Sequence, residues 1–242
     1  MKIYNKFLCM AGVVFLLGGT SLFAEGQSAK EILNKAYQYI GSMDKYAFKA
    51  VVLEDDIVDG ELLKQKDRHD ISVKVDRPGK VRVDTKGDIR NRSGYLNDGT
   101  FTMMDHGFGY YGLMKTPKTI DDALDFIFDK YGIKAPLLQL IYSDMDKRLK
   151  FKKSKNFGTM MVDGTECDYV AFRGNEAEVH LWITTGDKPL VKTYTIFYTT
   201  VEGRPALSTS ITWEDNPKIS DNDFIFTAPK DAAEISVLST NE

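Results

Sequence analysis

The chain has 242 residues, with 32 basic and 35 acidic side chains and a formal net charge of −3. This slightly acidic balance lacks the basic surface on which nucleic-acid binding depends, so we expect no nucleic-acid partner. Hydrophobic residues make up 43% of the sequence, which is enough material for a sizeable core.

The beginning of the chain is typical of a secretory signal. Two lysines precede an apolar run over residues 7–17, and small residues follow before a polar start. We predict that residues 1–24 are a signal peptide and that residues 25–242 form one exported domain, because no linker or repeat divides them. The apolar run is shorter than the roughly 20 residues of a membrane-spanning helix. We therefore expect a periplasmic protein with no transmembrane segment after cleavage.

The predicted domain begins with an amphipathic helix over residues 28–43. Ser28 and Glu31 have the spacing of a capping box, which satisfies free backbone N–H groups at a helix start. Apolar residues then recur at helical spacing and predict one buried face, formed by Ile32, Leu33, Ala36, Ile40 and Met43.

From Tyr46 onward the apolar period changes to two, which predicts strands. Ile71, Val73 and Val75 alternate with polar residues, and Val81 and Val83 do so after the turn sequence "RPGK". Such a hairpin has one aliphatic and one charged face, as in an antiparallel sheet with one side in water. Further tight turns are predicted at residues 97–99 and 163–164.

Two apolar helices are predicted in the middle of the chain, over residues 119–144. Thr119 can cap the first and Gly132 can end it, and Pro136 can begin the second. Their apolar faces need a partner, and the concave face of a curved sheet can supply one. We predict that these helices form a lid or plug over that face.

Strands resume after residue 158, and all connections between strands are predicted as hairpins. The segment "NDFIFTAPKDAAEI" is expected to close the chain with one brief strand and a proline. The predicted fold class is α+β: a curved antiparallel sheet, an unclosed half-barrel, with an N-terminal helix and the central helical lid.

Several segments in this order resemble the outer-membrane lipoprotein carrier superfamily (LolA/LolB-like), and within it an uncharacterised family of predicted periplasmic proteins. These segments are "VDRPGKVRVDTKGD", "YLNDGTFTMMD", "TIDDALDFIFDKYGIKAPLLQLIYSD", "VDGTECDYVAFRG" and "LWITTGDKPLVKTYTIFY". The resemblance implies an unclosed barrel with helices in its mouth and an apolar cavity between. It also implies a role in holding acyl chains of lipids or lipoproteins, or in sensing at the envelope.

No catalytic signature accompanies these elements. The three histidines have no metal-binding spacing and are interpreted as polar strand or loop residues, and no G-x-S-x-G or phosphate loop occurs. Cys167 is interpreted as a half-buried strand residue, because acidic neighbours would raise its pKa. Asp121, Asp122 and Asp125 suit the positive end of a helix. The acidic cluster at residues 54–61 suits a solvated turn. We expect no catalytic residue, metal or cofactor.

The candidate site is therefore an apolar pocket with its lid. Twelve side chains are predicted to line it: Phe101, Met103, Leu124, Ile127, Phe128, Leu138, Ile141, Leu181, Ile183, Ile196, Ile211 and Trp213. The function predicted from it is non-catalytic binding of an acyl chain or other lipid moiety, as in a lipid or lipoprotein carrier.

Two other functions stay open. An envelope protein-interaction or sensor module would have a filled core and no lipid ligand, with a protein partner at the sheet edge or the lid. A hydrolase with a dispersed site would need a paired nucleophile and base, which the sequence does not reveal.

Overall fold

The structure is a computed structural model, and it describes residues 27–88, 90–134 and 137–240. The predicted signal peptide lies outside the described residues. The helices are α1 (Ala29–Ser42), α2 (Ile120–Tyr131) and α3 (Met145–Arg148), with short 3-10 helices at Leu138–Leu140 and Asp221–Phe224. The strands are β1 (Lys45–Val58), β2 (Glu61–Asp76), β3 (Lys80–Gly87), β4 (Asn91–Asn97), β5 (Thr100–Asp105), β6 (Tyr110–Lys115), β7 (Lys153–Val162), β8 (Thr165–Arg173), β9 (Ala177–Thr184), β10 (Val191–Tyr198), β11 (Ala206–Trp213) and β12 (Ala233–Glu234).

All these strands form one sheet, in the order β12-β6-β5-β4-β3-β2-β1-β11-β10-β9-β8-β7. The edge strands β12 and β7 do not pair with each other, so the curved sheet stays open. The predicted α+β half-barrel is confirmed. Hairpins connect β1 to β6 and β7 to β11, as predicted. The exception is the connection from β11 to β12, because β12 runs parallel to β6.

The N-terminal helix forms as predicted. The hydroxyl of Ser28 accepts from the Glu31 amide at 3.3 Å, and the Glu31 carboxylate accepts from the Ser28 amide at 2.7 Å. This capping box lowers the pKa of the Glu31 carboxyl, because backbone N–H donors favour its charged form. The helix buries Ala36 and Ile40 completely against the concave face of the sheet, on the side of β7, β8 and β9.

The β2–β3 hairpin has the predicted register. Val73 lies opposite Val83, and Val75 lies opposite Val81, with all four side chains buried on the concave face. The turn at 98–99 joins β4 to β5, and the turn at 163–164 joins β7 to β8; both use the left-handed backbone that tight hairpins need.

The central helical region differs from the prediction in its second part. Helix α2 begins after the Thr119 cap and ends at Gly132, whose φ of 65° closes the helix in the left-handed region. The predicted second helix is only the single 3-10 turn at Leu138–Leu140, since Leu137 before it has a φ of 59° and breaks helical geometry. Pro136 lies outside the described residues.

The C-terminal segment covers the convex face of the sheet behind β2, β3 and β4. Lys74 Nζ lies 2.5 Å from Asp223 Oδ1, Lys80 Nζ lies 2.6 Å from Asp221 Oδ1, and Phe224 is fully buried. The segment "NDFIFTAPKDAAEI" contains one brief strand, as predicted, which is β12; its first residues belong to the 3-10 helix Asp221–Phe224.

Candidate functional site: a cavity between the sheet and helix α2

A cavity of about 440 Å³ lies between the concave face of the sheet and helix α2. Its wall contains apolar side chains from β1 to β5, β10 and β11, from α2 and from residues 133–141. The apolar and aromatic residues of the lining are Val52, Ile71, Val81, Val83, Leu96, Phe101, Met103, Leu124, Ile127, Ile133, Leu137, Leu138, Ile141, Tyr194 and Leu207. A volume of this size is typical of small-molecule pockets.

The strand register arranges the cavity floor in rows across the sheet. One row contains Val75, Val81, Leu96, Phe101 and Met114. The next row has Gly94 between Val83 and Met103. Because glycine has no side chain, this row leaves free volume where its neighbours have none. A Cβ added at Gly94 would meet only the Phe101 ring, at 3.4 Å, so the space is open.

The roof of the cavity consists of α2 and residues 137–141. Two polar side chains from the sheet bind this second part. The Tyr46 hydroxyl donates to the Leu140 carbonyl at 2.7 Å, and Arg77 Nη2 donates to the Ile141 carbonyl at 2.8 Å. Burial raises the pKa of Tyr46, so its hydroxyl keeps the proton that this bond needs. The non-helical part of the roof is thus fixed to the sheet through its backbone.

Helix α2 is joined to the following segment by its carboxylates. The backbone amide of Ser143 donates to Asp121 at 3.1 Å, and Arg148 Nη1 lies 2.9 Å from Asp125. Tyr142 also donates its hydroxyl to Asp125, at 2.8 Å. The interpretation of Asp121 and Asp125 as helix-dipole residues was therefore incomplete, because both also hold the two parts of the roof together.

The cavity becomes polar toward one end. Along β2 the concave face changes from Val73 and Ile71 to His69, and along β4 it changes from Leu96 and Gly94 to Arg92. The polar lining residues on the cavity side are Glu54, His69, Thr85, Arg90, Arg92 and Lys134. The cavity thus has an apolar interior and a polar end, which is the polarity of an amphiphile.

Six of the twelve predicted side chains line the cavity. These are Phe101 and Met103 on β5, Leu124 and Ile127 on α2, and Leu138 and Ile141 after it. Their contact with a ligand stays a prediction.

The other six do not line the cavity. Leu181, Ile183, Ile196, Ile211 and Trp213 lie on the same concave face, in the core around β9, β10 and β11. Phe128 is 44% exposed on the outer side of α2, where Lys134 Nζ lies 5.4 Å from its ring centroid. It follows Ile127 by one position and so points about 100° around the helix from it.

His69 is the main lining residue that sequence reasoning missed. The sequence indicated a polar strand or loop residue; His69 lies in β2, and its side chain is buried, with 3% exposure. The signal was present, because His69 precedes Ile71 by two positions and a strand places such residues on the same face. Gly94 carried no such signal, since a lone glycine in a strand has several explanations.

A serine, a histidine and an aspartate meet on the convex face. Ser93 Oγ lies 2.6 Å from Asp84 Oδ1 and 2.7 Å from His106 Nε2. In a catalytic triad the histidine lies between serine and carboxylate. Here the serine lies between the other two and shares its single proton with a carboxylate. This arrangement does not give the histidine the role of a base held by the aspartate.

Cys167 is buried in β8, and burial raises the pKa of its thiol despite the opposing charge of Lys192. It is therefore a poor nucleophile.

At the acidic β1–β2 hairpin, Asp55 and Asp56 pair with Lys64 and Lys66 at 2.9 and 3.1 Å. Within residues 27–88, 90–134 and 137–240, no group of three or more His, Cys, Asp or Glu could hold a metal ion.

The sequence matches a family model over residues 29–238, and that family is described as "Predicted periplasmic protein (DUF2092)". The chain belongs to this family. The protein is accordingly periplasmic, as its sequence predicts. No helix in the described part of this DUF2092 protein has the length and hydropathy to cross a membrane. Among curated proteins, no sequence relative is found.

Several solved structures are similar to this DUF2092 protein. An uncharacterized conserved protein from Thermus thermophilus has a TM-score of 0.51 at 11% identity, over 87% of this chain and 99% of its own. The lipoprotein LppX from Mycobacterium tuberculosis has a TM-score of 0.45 at 8% identity, over 79% and 98%. A LolA superfamily protein from Nitrosomonas europaea has a TM-score of 0.38 at 9% identity, over 83% and 98%. The similarity to the Thermus thermophilus protein bears on the fold and not on the ligand.

Proposed function

We propose that this DUF2092 protein is a non-catalytic binding protein that holds the apolar chain of a lipid, or an acyl chain of a lipoprotein, in the cavity beneath α2. The observation that supports this most directly is the cavity itself, which is apolar inside and bounded by a roof of few residues. Each buried methylene contributes about 0.8 kcal/mol, so a chain of about a dozen carbons has enough apolar surface to offset the entropy of ordering it.

Entry of the chain requires the roof to move. Helix α2 buries only one side, with Ile120, Ala123, Leu124 and Ile127 facing inward. Its polar contacts to the next segment, through Asp121 and Asp125, connect the two parts of the roof with each other. We propose that α2 moves away from β3, β4 and β5 while the sheet keeps its register.

Gly94 offers a direct test. In Gly94→Leu an apolar side chain occupies the cavity floor, in a backbone conformation that leucine can adopt and without a backbone clash. We expect the purified mature protein, residues 25–242, to bind a fluorescent fatty acid, and the variant to bind at least about tenfold more weakly with unchanged or higher thermal stability. The control is Gly174→Leu in the β8–β9 loop, where the added Cβ meets only a carbonyl oxygen at 3.6 Å.

Mass spectrometry of an organic-solvent extract of the same proteins identifies any chain that they carry. Wild type and Gly174→Leu should release a stoichiometric lipid, and Gly94→Leu should not. Equal binding by all three proteins, or no binding of any alkyl chain by the wild type, would overturn the proposal.

A protein-docking function is the second candidate, and the edge strand β7 favours it. Met161 is 63% exposed and Phe157 is 50% exposed on this edge, where Phe157 stacks on Tyr169 at 4.7 Å and Tyr169 stacks on Trp182. The cavity differs from the filled core that this alternative predicts. A Met161→Glu variant that lost a partner in envelope extracts but kept fatty-acid binding would show that the two functions are separate.

A further inference from the structure

The polar end of the cavity contains a buried histidine whose side chain has no hydrogen bond to the described residues. His69 is 3% exposed, and neither Nδ1 nor Nε2 has a partner within the described structure. A buried polar group without a partner is destabilising and is rare in folded proteins. His69 is one of the residues that line the cavity, so a ligand atom that reaches either ring nitrogen would supply the missing bond.

The strand register shows why the His69 side chain has no hydrogen-bond partner in the sheet. Its neighbours in the row are Val52 on β1 and Gly87 on β3. Val52 has no polar side-chain atom and Gly87 has no side chain. A Cβ added at Gly87 would lie 2.2 Å from His69 Nδ1, so glycine is needed here to make room for the ring.

A cationic side chain lies at the same end. The Gly87 amide donates to the Arg90 carbonyl at 2.7 Å, which places Arg90 beside the His69 row. Both Arg90 and Arg92 line the cavity, but Arg92 is paired with Asp105 at 2.8 Å. Among the described residues Arg90 has no ion-pair partner. Lys134 also lines the cavity, but its ammonium lies over the Phe128 ring on the outer side of α2.

One carboxylate also lines this end. Glu54 lies in the next row, opposite Asp67 and on the β1 side, away from Arg90. Glu54 and the buried Asp67 lie one row beyond His69, whereas Arg90 lies beside Gly87 on the β3 side of His69. A negatively charged group is favoured on that side and disfavoured on the Glu54 side.

We propose that the cavity selects amphiphiles with an anionic head, a carboxylate or a phosphate, whose oxygens accept from His69 and pair with Arg90. This inference rests on the proposed function and specifies its ligand. The neutral imidazole has one N–H donor, and guanidinium binds carboxylate or phosphate through two parallel hydrogen bonds. The alkyl chain of the ligand lies over Gly94, and its head lies at the His69 row.

The test compares four ligands with the same chain: dodecanoate, dodecyl phosphate, methyl dodecanoate and dodecanol. Calorimetry on delipidated mature protein should give tighter binding of the two anionic ligands, by about tenfold or more, since hydrogen bonds to charged groups are the strong ones. His69→Phe and Arg90→Gln should each reduce this preference while binding of methyl dodecanoate remains. The control is His180→Phe on the convex face, which should keep the preference.

The thermal stability of His69→Phe separates a ligand-binding role from a structural one. Because the His69 side chain makes no hydrogen bond to described residues, its replacement by an apolar ring should not lower the melting temperature. A lower melting temperature with an unchanged ligand preference would indicate a structural histidine and overturn the inference.

The remaining outcomes separate the two proposals. Equal binding of all four ligands overturns the anionic-head inference and leaves chain binding intact. Binding of none of them overturns the proposed function and the inference with it. Displacement of dodecanoate by inorganic phosphate at similar concentration would show a free-anion site and overturn selection of amphiphiles, whereas no displacement supports it.

Discussion

The two halves of the concave face share one sheet and similar apolar composition, yet only one of them is filled. Over β7, β8 and β9, helix α1 buries six side chains and leaves Ala36 and Ile40 without exposure. Over β3, β4 and β5, helix α2 is shorter, buries four side chains and lies above the 440 Å³ cavity. The comparison shows that burial on a concave face does not imply a complete core.

The difference depends on small residues in opposite positions. In the α1 half, Ala36 is on the helix and lets it approach the sheet closely, with large residues such as Phe172 and Ile183 below it. In the α2 half, the small residue is Gly94 on the sheet, and α2 has Leu124 and Ile127 above it. A small residue on the helix lets the helix approach the sheet closely, and no gap remains between them. A small residue on the sheet, beneath a helix that other contacts hold in place, leaves a gap.

The largest expected effect is that of a charge beneath α2. In Ile127→Asp a buried apolar side chain is replaced by an unpaired carboxylate, which costs several kcal/mol. We expect α2 to leave the sheet and fatty-acid binding to be lost, while β-sheet circular dichroism remains. Phe128→Asp, at the exposed neighbouring position, is the control and should bind normally. Unchanged binding by Ile127→Asp would remove α2 from the site.

A second prediction compares the same kind of addition in both halves. Ala36→Leu inserts three carbons into the filled half and should destabilise the protein by about 1–3 kcal/mol in urea unfolding. Gly94→Leu inserts more carbons into the cavity half and should not destabilise it. Equal destabilisation by both variants would mean that the two halves are packed alike.

A smaller effect concerns the C-terminal segment behind the cavity half. The hydrogen bond from Lys74 lowers the pKa of Asp223 to about 2, from 3.8 for an unperturbed side chain. Because the folded pKa is the lower one, this contribution is present above about pH 4 and is lost as the pH falls toward 2. For a pair this close to the surface and only partly buried, the contribution should stay below about 1 kcal/mol.

Hydrogen exchange at residues 220–226 should accordingly increase between pH 4 and pH 2, after correction for the intrinsic pH dependence of exchange. Asp223→Asn should show fast exchange at both pH values. The same pH change should leave α1 protected from exchange. If α1 lost protection before residues 220–226, the acid-sensitive contact would not belong to the cavity half.

The smallest effect is expected at Cys167, which reports on the filled half. Its thiol is buried and its pKa is raised by that burial, so labelling by a thiol reagent should be much slower than in the unfolded chain. We expect Ile127→Asp to leave this rate nearly unchanged, because opening beneath α2 does not involve β8. A large increase would show that both halves open together.

The local features of the fold could be predicted from the sequence. The Ser28 capping box, both ends of α2 and the β2–β3 register each depend on residues within a few positions of one another. The pairing of β1 with β11 could not be predicted, because alternation determines which face a residue occupies and not which strand lies beside it. The second central helix was overestimated, since its apolar residues suit a 3-10 turn after a left-handed Leu137 equally well.

About half of the candidate site could be predicted, because the sequence indicates which face a residue occupies but not which elements lie beside it. The apolar residues predicted on α2 and β5 line the cavity, whereas Leu181 and Ile183 belong to the filled half, because the sequence does not show where α1 packs. His69 and Gly94 were missed because their significance comes from their rows. His69 matters because neither Val52 nor Gly87 has a side-chain atom that can hydrogen-bond to its ring, and those neighbours are known only from the register.

The chain crosses from one face of the sheet to the other at its C-terminal end. After Phe226, which packs behind Tyr95 and Tyr111, it pairs with β6 and then reaches α2, where Thr240 donates its amide to the Lys130 carbonyl at 3.0 Å. Residues 234–240 span at most about 20 Å when extended. These residues act as a tether, so the far end of α2 can swing open only within that radius unless the tether detaches first.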